Sequence, residues 1–155
     1  IQIIETCVES ADCSSAILQY TFFYLKSLRY KEAAGMCLKI LQRTDISHEM
    51  RCYATDILRF TASKSEVPAM KQLFEKVSSD DSCPIVYRKY HEEAAIILFE
   101  NDPMRSLLVR AIGNIMDQAD YDWIWAVGSN TSENMLTRKT AETYTEAMLQ
   151  KGIVK

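Results

Sequence analysis

Glycine and proline are scarce in this chain, whose 155 residues include four Gly and three Pro. Strands joined by tight turns need such residues every few positions, so their scarcity favours long helices joined by short loops. Long apolar runs are missing too. No stretch approaches the roughly 18 apolar residues that a membrane-spanning helix needs, and we therefore expect no membrane association.

The chain also has no cluster of basic residues. The net charge is −3, and the Lys and Arg residues are scattered. Surfaces that bind nucleic acid usually show a basic stripe, so we expect no direct contact with nucleic acid.

Catalytic motifs are missing as well. We find no Gly-rich phosphate loop and no nucleophile elbow. The sequence HEEAA at 91–95 lacks the second His of a zinc-protease helix, because Ala95 stands in its place. The sequence predicts a protein that is not an enzyme, with no catalytic residues, no cofactor and no small-molecule substrate.

The five cysteines are an odd number and form no C-x-x-C pair. We expect them to be reduced thiols in an intracellular protein of the cytoplasm or nucleus. His48 and Cys52 are four residues apart on a predicted helix, so both could reach one zinc ion. The other ligands of a tetrahedral site would have to come from distant cysteines, and we therefore expect no metal site. Those cysteines are Cys7, Cys13 and Cys83.

Helical periodicity runs almost from end to end. It predicts an all-α fold of eight or nine antiparallel helices in one domain over 1–155. One of them opens at Ser82 and Pro84 and continues to Leu98. The first residue is Ile, so we expect the chain to be a fragment of a larger protein.

Residues 14–47 resemble a tetratricopeptide repeat. Tyr24 and Ala33 stand where that family has a Tyr in its first helix and a small Ala in its second, and the length matches its 34-residue period. The chain departs from the pattern at three positions. The consensus Trp is Ile17, the late small Ala is Ile40 and the closing Pro is Asp45.

The resemblance implies a short solenoid, a right-handed α-α superhelix. The pairs 47–79 and 83–119 are more like the irregular helical pairs of HEAT or armadillo repeats. A closed helical bundle is the alternative architecture. Repeats that clamp a terminal carboxylate present Lys and Asn where this chain has Leu18 and Phe22, which indicates an apolar partner segment or a packed helix instead.

Both tryptophans lie in YDWIWAVGSN, residues 121–130. They fit either a core anchor for the last helix or an interface hot spot, where Trp and Tyr are enriched. Our candidate partner-binding residues are Tyr121, Trp123, Trp125, Leu18 and Phe22.

The sequence thus predicts a non-catalytic interaction or scaffold domain that binds a helix or peptide of another subunit within a larger assembly. One alternative is a helical bundle with an apolar peptide groove, as in the Bcl-2-like regulators. The other is an enzyme without a recognisable motif.

Overall fold

The computed structural model describes residues 17, 20, 21, 24, 25, 30, 32–91 and 94–153, with 85–91 and 94–100 described by their backbone. This part of the chain is mainly helical, as predicted. Ile17, Tyr20, Thr21, Tyr24 and Leu25 are helical, and the six helices that follow are α1 (Ala33–Gln42), α2 (His48–Thr61), α3 (Val67–Lys76), α4 (Met104–Gly113), α5 (Tyr121–Ser129) and α6 (Met135–Gln150).

Capping side chains open α2, α6 and the 3₁₀ turns that precede α3 and α5. Ser47 accepts a hydrogen bond from the Met50 N–H at the start of α2. The spacing of Ser63 and Glu66 predicts a capping box, and the two residues form it at a 3₁₀ turn, Lys64–Glu66, just before α3. At the far end Gly152 has φ 66°, the left-handed conformation that ends a helix most easily with glycine.

The last helix begins later than its sequence predicts. We expect a start at Thr131 or Ser132, but α6 starts at Met135, where Asn134 accepts a hydrogen bond from the Leu136 N–H. Asn is as good a cap as Ser, so the backbone can begin its helix at either position.

The predicted helix from Ser82 to Leu98 is wrong. The chain forms two antiparallel strands here, β1 (Ser82–His91) and β2 (Ala94–Pro103), with Ser82 opposite Pro103 and His91 opposite Ala94. Runs of β-branched and aromatic residues, such as 85–87 and 96–99, prefer strands. A short apolar run also fits either period, which is why helical spacing was a poor guide.

The helices pack as three hairpins: α1 with α2, α3 with α4, and α5 with α6. The second helices also stack, α2 against α4 and α4 against α6. The predicted pair 47–79 is therefore wrong, because α2 packs on α1 rather than on α3. The predicted pair 83–119 is wrong because two strands stand in place of its first helix. Consecutive helices are neighbours within a hairpin but not between hairpins.

Helix α4 is the centre of the core. It contacts α2, α3 and α6, and Leu107, Leu108 and Ile112 on it are fully buried. The strands leave the domain between α3 and α4, and the N–H of Met104 donates to the carbonyl of Asp81 at 2.8 Å. The strands are thus an insertion whose two ends meet.

Helices α4 and α6 cross closely at a glycine. A Cβ on Gly113 would lie 2.5 Å from the ring of Tyr144. The Tyr144 hydroxyl donates to Asn114 Oδ1 at 2.7 Å, which holds the ring against Gly113, where any other residue would have its Cβ.

Candidate functional site

The two tryptophans of α5 point to opposite sides. Trp123 packs edge-on against Phe74 of α3, with the ring centroids 5.1 Å apart, and Lys71 Nζ lies 5.4 Å from the Trp123 ring centroid. Trp125 is 56% exposed. Side chains two residues apart in a helix point about 200° apart, so one short helix supplies both a core anchor and a surface aromatic.

The remaining candidate on α5, Tyr121, is half-buried. Ile124, Val127 and Gly128 are buried, and Gly128 lies against Ala141 and Glu142 of α6. Trp125 is thus left on the side of α5 that faces neither α3 nor α6.

A second set of large exposed side chains lies ahead of α1. Ile17, Tyr20 and Tyr24 are 53%, 76% and 67% exposed. Leu25, which is helical as well, is buried in the core. The sequence predicts that the stripe of Ile17, Tyr20, Tyr24 and Leu28 is sandwiched between neighbouring helices. This is wrong for the first three, and Leu28 lies outside the described residues. We call these three residues the tyrosine stripe. The candidates Leu18 and Phe22 lie outside the described residues.

A network of opposite charges joins α3 to the start of α5. Asp120, in the 3₁₀ turn Gln118–Asp120, accepts from Lys64 Nζ at 2.5 Å and from Lys71 Nζ at 2.8 Å. Burial alone would raise the pKa of Asp120, but the hydrogen bonds and charges of the two lysines outweigh it and lower that pKa. The carboxylate is therefore a structural anchor that stays ionised near neutral pH.

His48, Cys52 and Cys83 come together where α2 meets β1. Cys52 and Cys83 form a disulfide with their Cα atoms 5.3 Å apart. His48 Nε2 lies 3.4 Å from Cys52 Sγ and donates to the Ser82 carbonyl at 2.7 Å. The expectation of five reduced thiols is thus wrong for these two. Cys37 is free and buried, and burial raises its pKa to about 12, so that it is a structural residue rather than a reactive one.

Sequence reasoning recognised half of this cluster. The spacing of His48 and Cys52 places both on one helix face, but Cys83 was one of three distant cysteines, with nothing to show which of them lies beside α2. In the disulfide form Cys52 is not a thiolate and cannot act in a Cys–His pair, because its sulfur is bonded to Cys83. His91, the last residue of β1, is described by its backbone.

Comparison of the chain with protein-family models, with curated proteins and with solved structures finds no match. Within the described residues, no helix has both the length and the apolar character that crossing a membrane requires.

Proposed function

We propose that this chain is a non-catalytic interaction domain that binds an amphipathic helix or peptide segment of another subunit within a larger assembly. The tyrosine stripe carries this proposal. Its three large side chains all belong to helical residues, and each is more than half exposed.

The spacing of the stripe fits a helical partner. Ile17, Tyr20 and Tyr24 follow one another at i, i+3 and i+7, the spacing with which one helix anchors along another or in a groove. Tyrosine is enriched at interface hot spots, because its ring buries a large area while its hydroxyl keeps a polar partner. A helix laid along the stripe would bury all three side chains at once.

The stacking of the hairpins supports the helical-repeat part of the proposal. Helices α1 to α6 pair in sequence, and α2, α4 and α6 form one layer, as the second helices of a short solenoid do. Among the described residues the tyrosine stripe precedes α1, and we propose that the partner helix packs there.

Trp125 is a second surface of the same kind, and we propose it as a smaller contact. It is a single exposed aromatic residue on α5, about 100 residues after the tyrosine stripe in the sequence, so it supplies one anchor rather than a line. The proposal places the domain inside the cell, in the cytoplasm or nucleus, with protein partners and without a cofactor or small-molecule substrate.

Photo-crosslinking tests the proposal. A benzophenone amino acid replaces Tyr20 in the full chain, is activated in cells, and the crosslinked peptide of the partner is identified by mass spectrometry. Crosslinking from position 20 is then compared in two further chains. One carries both Tyr24→Ser and Ile17→Ser, and the other carries Trp125→Ala. The matched control is Met135→Ser, a change at a residue that is 66% exposed and lies outside both surfaces.

We expect one partner segment with an amphipathic helical pattern, whose crosslink is lost with the Tyr24→Ser, Ile17→Ser change and kept with Met135→Ser. Substitutions at exposed positions rarely change stability by more than about 0.5 kcal/mol, so circular dichroism should show that these variants stay folded. If crosslinking is the same in the stripe variant and in the control, and Trp125→Ala also leaves it unchanged, the proposed interaction is wrong.

A further inference from the structure

The cluster of His48, Cys52 and Cys83 has the composition of a metal site as well as of a disulfide. One ligand atom from each residue lies within 4.8 Å of the other two. Cys52 and Cys83 are buried, and His48 is exposed at the first turn of α2. The histidine therefore covers the sulfur pair on the side that faces water.

We propose that Cys52, Cys83 and His48 bind one zinc ion when the disulfide is reduced. A dithiol supplies two electrons and two protons. Its sulfurs form a new disulfide, the bond between Cys52 and Cys83 breaks, and two thiols result. Zinc then binds both sulfurs as thiolates and His48 through Nε2, and the two thiol protons pass to water.

The distances suit a tetrahedral ion. With bonds of about 2.3 Å to sulfur and about 2.0 Å to nitrogen, the ligand atoms around one zinc ion lie about 3.5–3.8 Å apart. His48 Nε2 and Cys52 Sγ are already 3.4 Å apart. These two residues are four apart on α2, so that their side chains share one face of the helix, and only the Cys83 sulfur has to separate from its partner.

His48 has to exchange the Ser82 carbonyl for the metal ion when zinc binds. In the disulfide form its Nε2 donates to the Ser82 carbonyl at 2.7 Å. In the zinc form Nε2 binds the metal, and the proton is on Nδ1. The exposure of His48 leaves the fourth position of the ion to water, as in sites with three protein ligands.

Soft thiolate ligands with one imidazole favour zinc over magnesium or calcium, which prefer oxygen ligands.

The site would also keep α2 linked to β1 under both oxidising and reducing conditions. A disulfide ties α2 to the start of β1 under oxidising conditions, and zinc would tie the same two elements where glutathione and thioredoxin keep thiols reduced. This inference does not depend on the proposed partner.

Cobalt provides the test, because a cobalt–thiolate bond gives a charge-transfer absorption that zinc abolishes by displacement. The full chain is reduced with dithiothreitol, freed of reductant without air, and titrated with cobalt and then with zinc. The comparison includes His48→Ala, the Cys52→Ser, Cys83→Ser double variant and an untreated disulfide form. Cys37→Ala and Cys7→Ser with Cys13→Ser are the controls.

We expect one cobalt ion per reduced chain with the thiolate absorption, none in the disulfide form, and none in the Cys52→Ser, Cys83→Ser variant. His48→Ala should weaken zinc binding by at least about tenfold, since even the loss of a group that supports a ligand costs that much. Both controls should keep the absorption.

Three results would overturn the proposal. One is a reduced chain that binds no more cobalt than the double cysteine variant. The second is a zinc affinity that His48→Ala leaves unchanged, a variant at an exposed position that can be measured even if the cysteine variant does not fold. The third is loss of the site in the Cys7→Ser, Cys13→Ser control, because the three proposed ligands would then be insufficient.

Discussion

Helix α3 and strand β1 follow each other in the chain, and their sequences predict the same structure for both. Each begins with a Ser or Asp and a Pro in the first turn, and each has apolar residues at helical spacing. Only α3 is a helix. Its Val67, Met70, Leu73 and Phe74 are buried in the core, whereas β1 leads into a two-stranded insertion.

The difference lies in what holds each segment. Helix α3 is fixed by core contacts, by its capping box and by the charges around Asp120. Among the described residues, the two strands contact each other far more than they contact any helix. Their base is nevertheless secured, because Cys83 and Asp102 are buried and Cys83 is bonded to α2. Local spacing alone cannot distinguish a segment that has a place in the core from one that leaves it.

The largest effect should come from the link at the base of the strands. Replacing Cys52 and Cys83 by alanine opens a loop across 31 residues. From chain entropy we expect the free energy of unfolding to fall by about 4 kcal/mol. Urea unfolding with a chelator present measures this without any contribution from metal. A loss below about 1 kcal/mol would show that other contacts already hold the base in place.

A cavity under α3 should lower the free energy of unfolding slightly less than the loss of the disulfide does. Met70 has no exposed surface, and Met70→Ala should lower the free energy of unfolding by about 3 kcal/mol, from lost apolar burial and the space left behind. The matched control is Met135→Ala on the surface, where we expect almost no change. Equal losses at the two positions would contradict the burial of α3.

The charge network of α3 should contribute less to the free energy of unfolding than Met70 does, and its contribution should depend on pH. Asp120→Asn should cost about 1–2 kcal/mol at neutral pH, less than a fully buried pair because Lys64 and Lys71 remain partly in water. The pKa of Asp120 is lowered in the folded state, so its contribution is complete above the unfolded value of about 3.9 and is lost as the pH falls through the lower folded value.

The difference in stability between the natural chain and Asp120→Asn should therefore be constant from neutral pH to about pH 5 and shrink below about pH 4. Thermal unfolding of the two chains across this range measures it. A difference that grows towards acid would mean that the folded state binds the proton more tightly, contrary to the geometry of the two lysines.

The capping box should have a smaller effect. Ser63→Ala removes the hydroxyl that hydrogen-bonds Glu66 at 2.6 Å and should lower the free energy of unfolding by about 1 kcal/mol. Ser63→Thr, which keeps a hydroxyl at this position, is the control and should recover most of the loss. Equal stability in all three chains would show that the cap does not stabilise α3 and so does not distinguish it from β1.

Shortening the strands should have the smallest effect. The register places Val86 opposite Phe99, so Asn-Gly can join these two residues in place of 87–98 as a two-residue turn. We expect the free energy of unfolding to change by less than about 0.5 kcal/mol, because a shorter loop is no harder to close. A loss as large as that of Met70→Ala would show that the outer part of the strands belongs to the core.

The sequence predicted features that depend on neighbouring residues. The cap at Ser63, a cap at either Asp45 or Ser47, the end at Gly152 and the helical character of α1 to α6 follow from spacing and from side chains that reach the next turn. Helix geometry also predicts that Trp123 and Trp125 point in different directions. These predictions needed no knowledge of the rest of the molecule.

Features that depend on distant residues could not be predicted. The bond between Cys52 and Cys83 requires the ends of the strands to return to α2, and no local signal indicates this. The exposure of Tyr20 and Tyr24 likewise reflects which helices stack on each other. Apolar spacing shows that a face can be buried, but it does not show what lies against that face.

Helix α5 gives the molecule two optical reporters with different surroundings. Trp123, against Phe74, should emit at short wavelength and resist iodide quenching, whereas Trp125 should emit at longer wavelength and be quenched readily. With two tryptophans in the chain, the two populations can be separated by quenching alone. Unfolding will therefore appear as a red shift of one emission, and contact of a partner with α5 as shielding of the other.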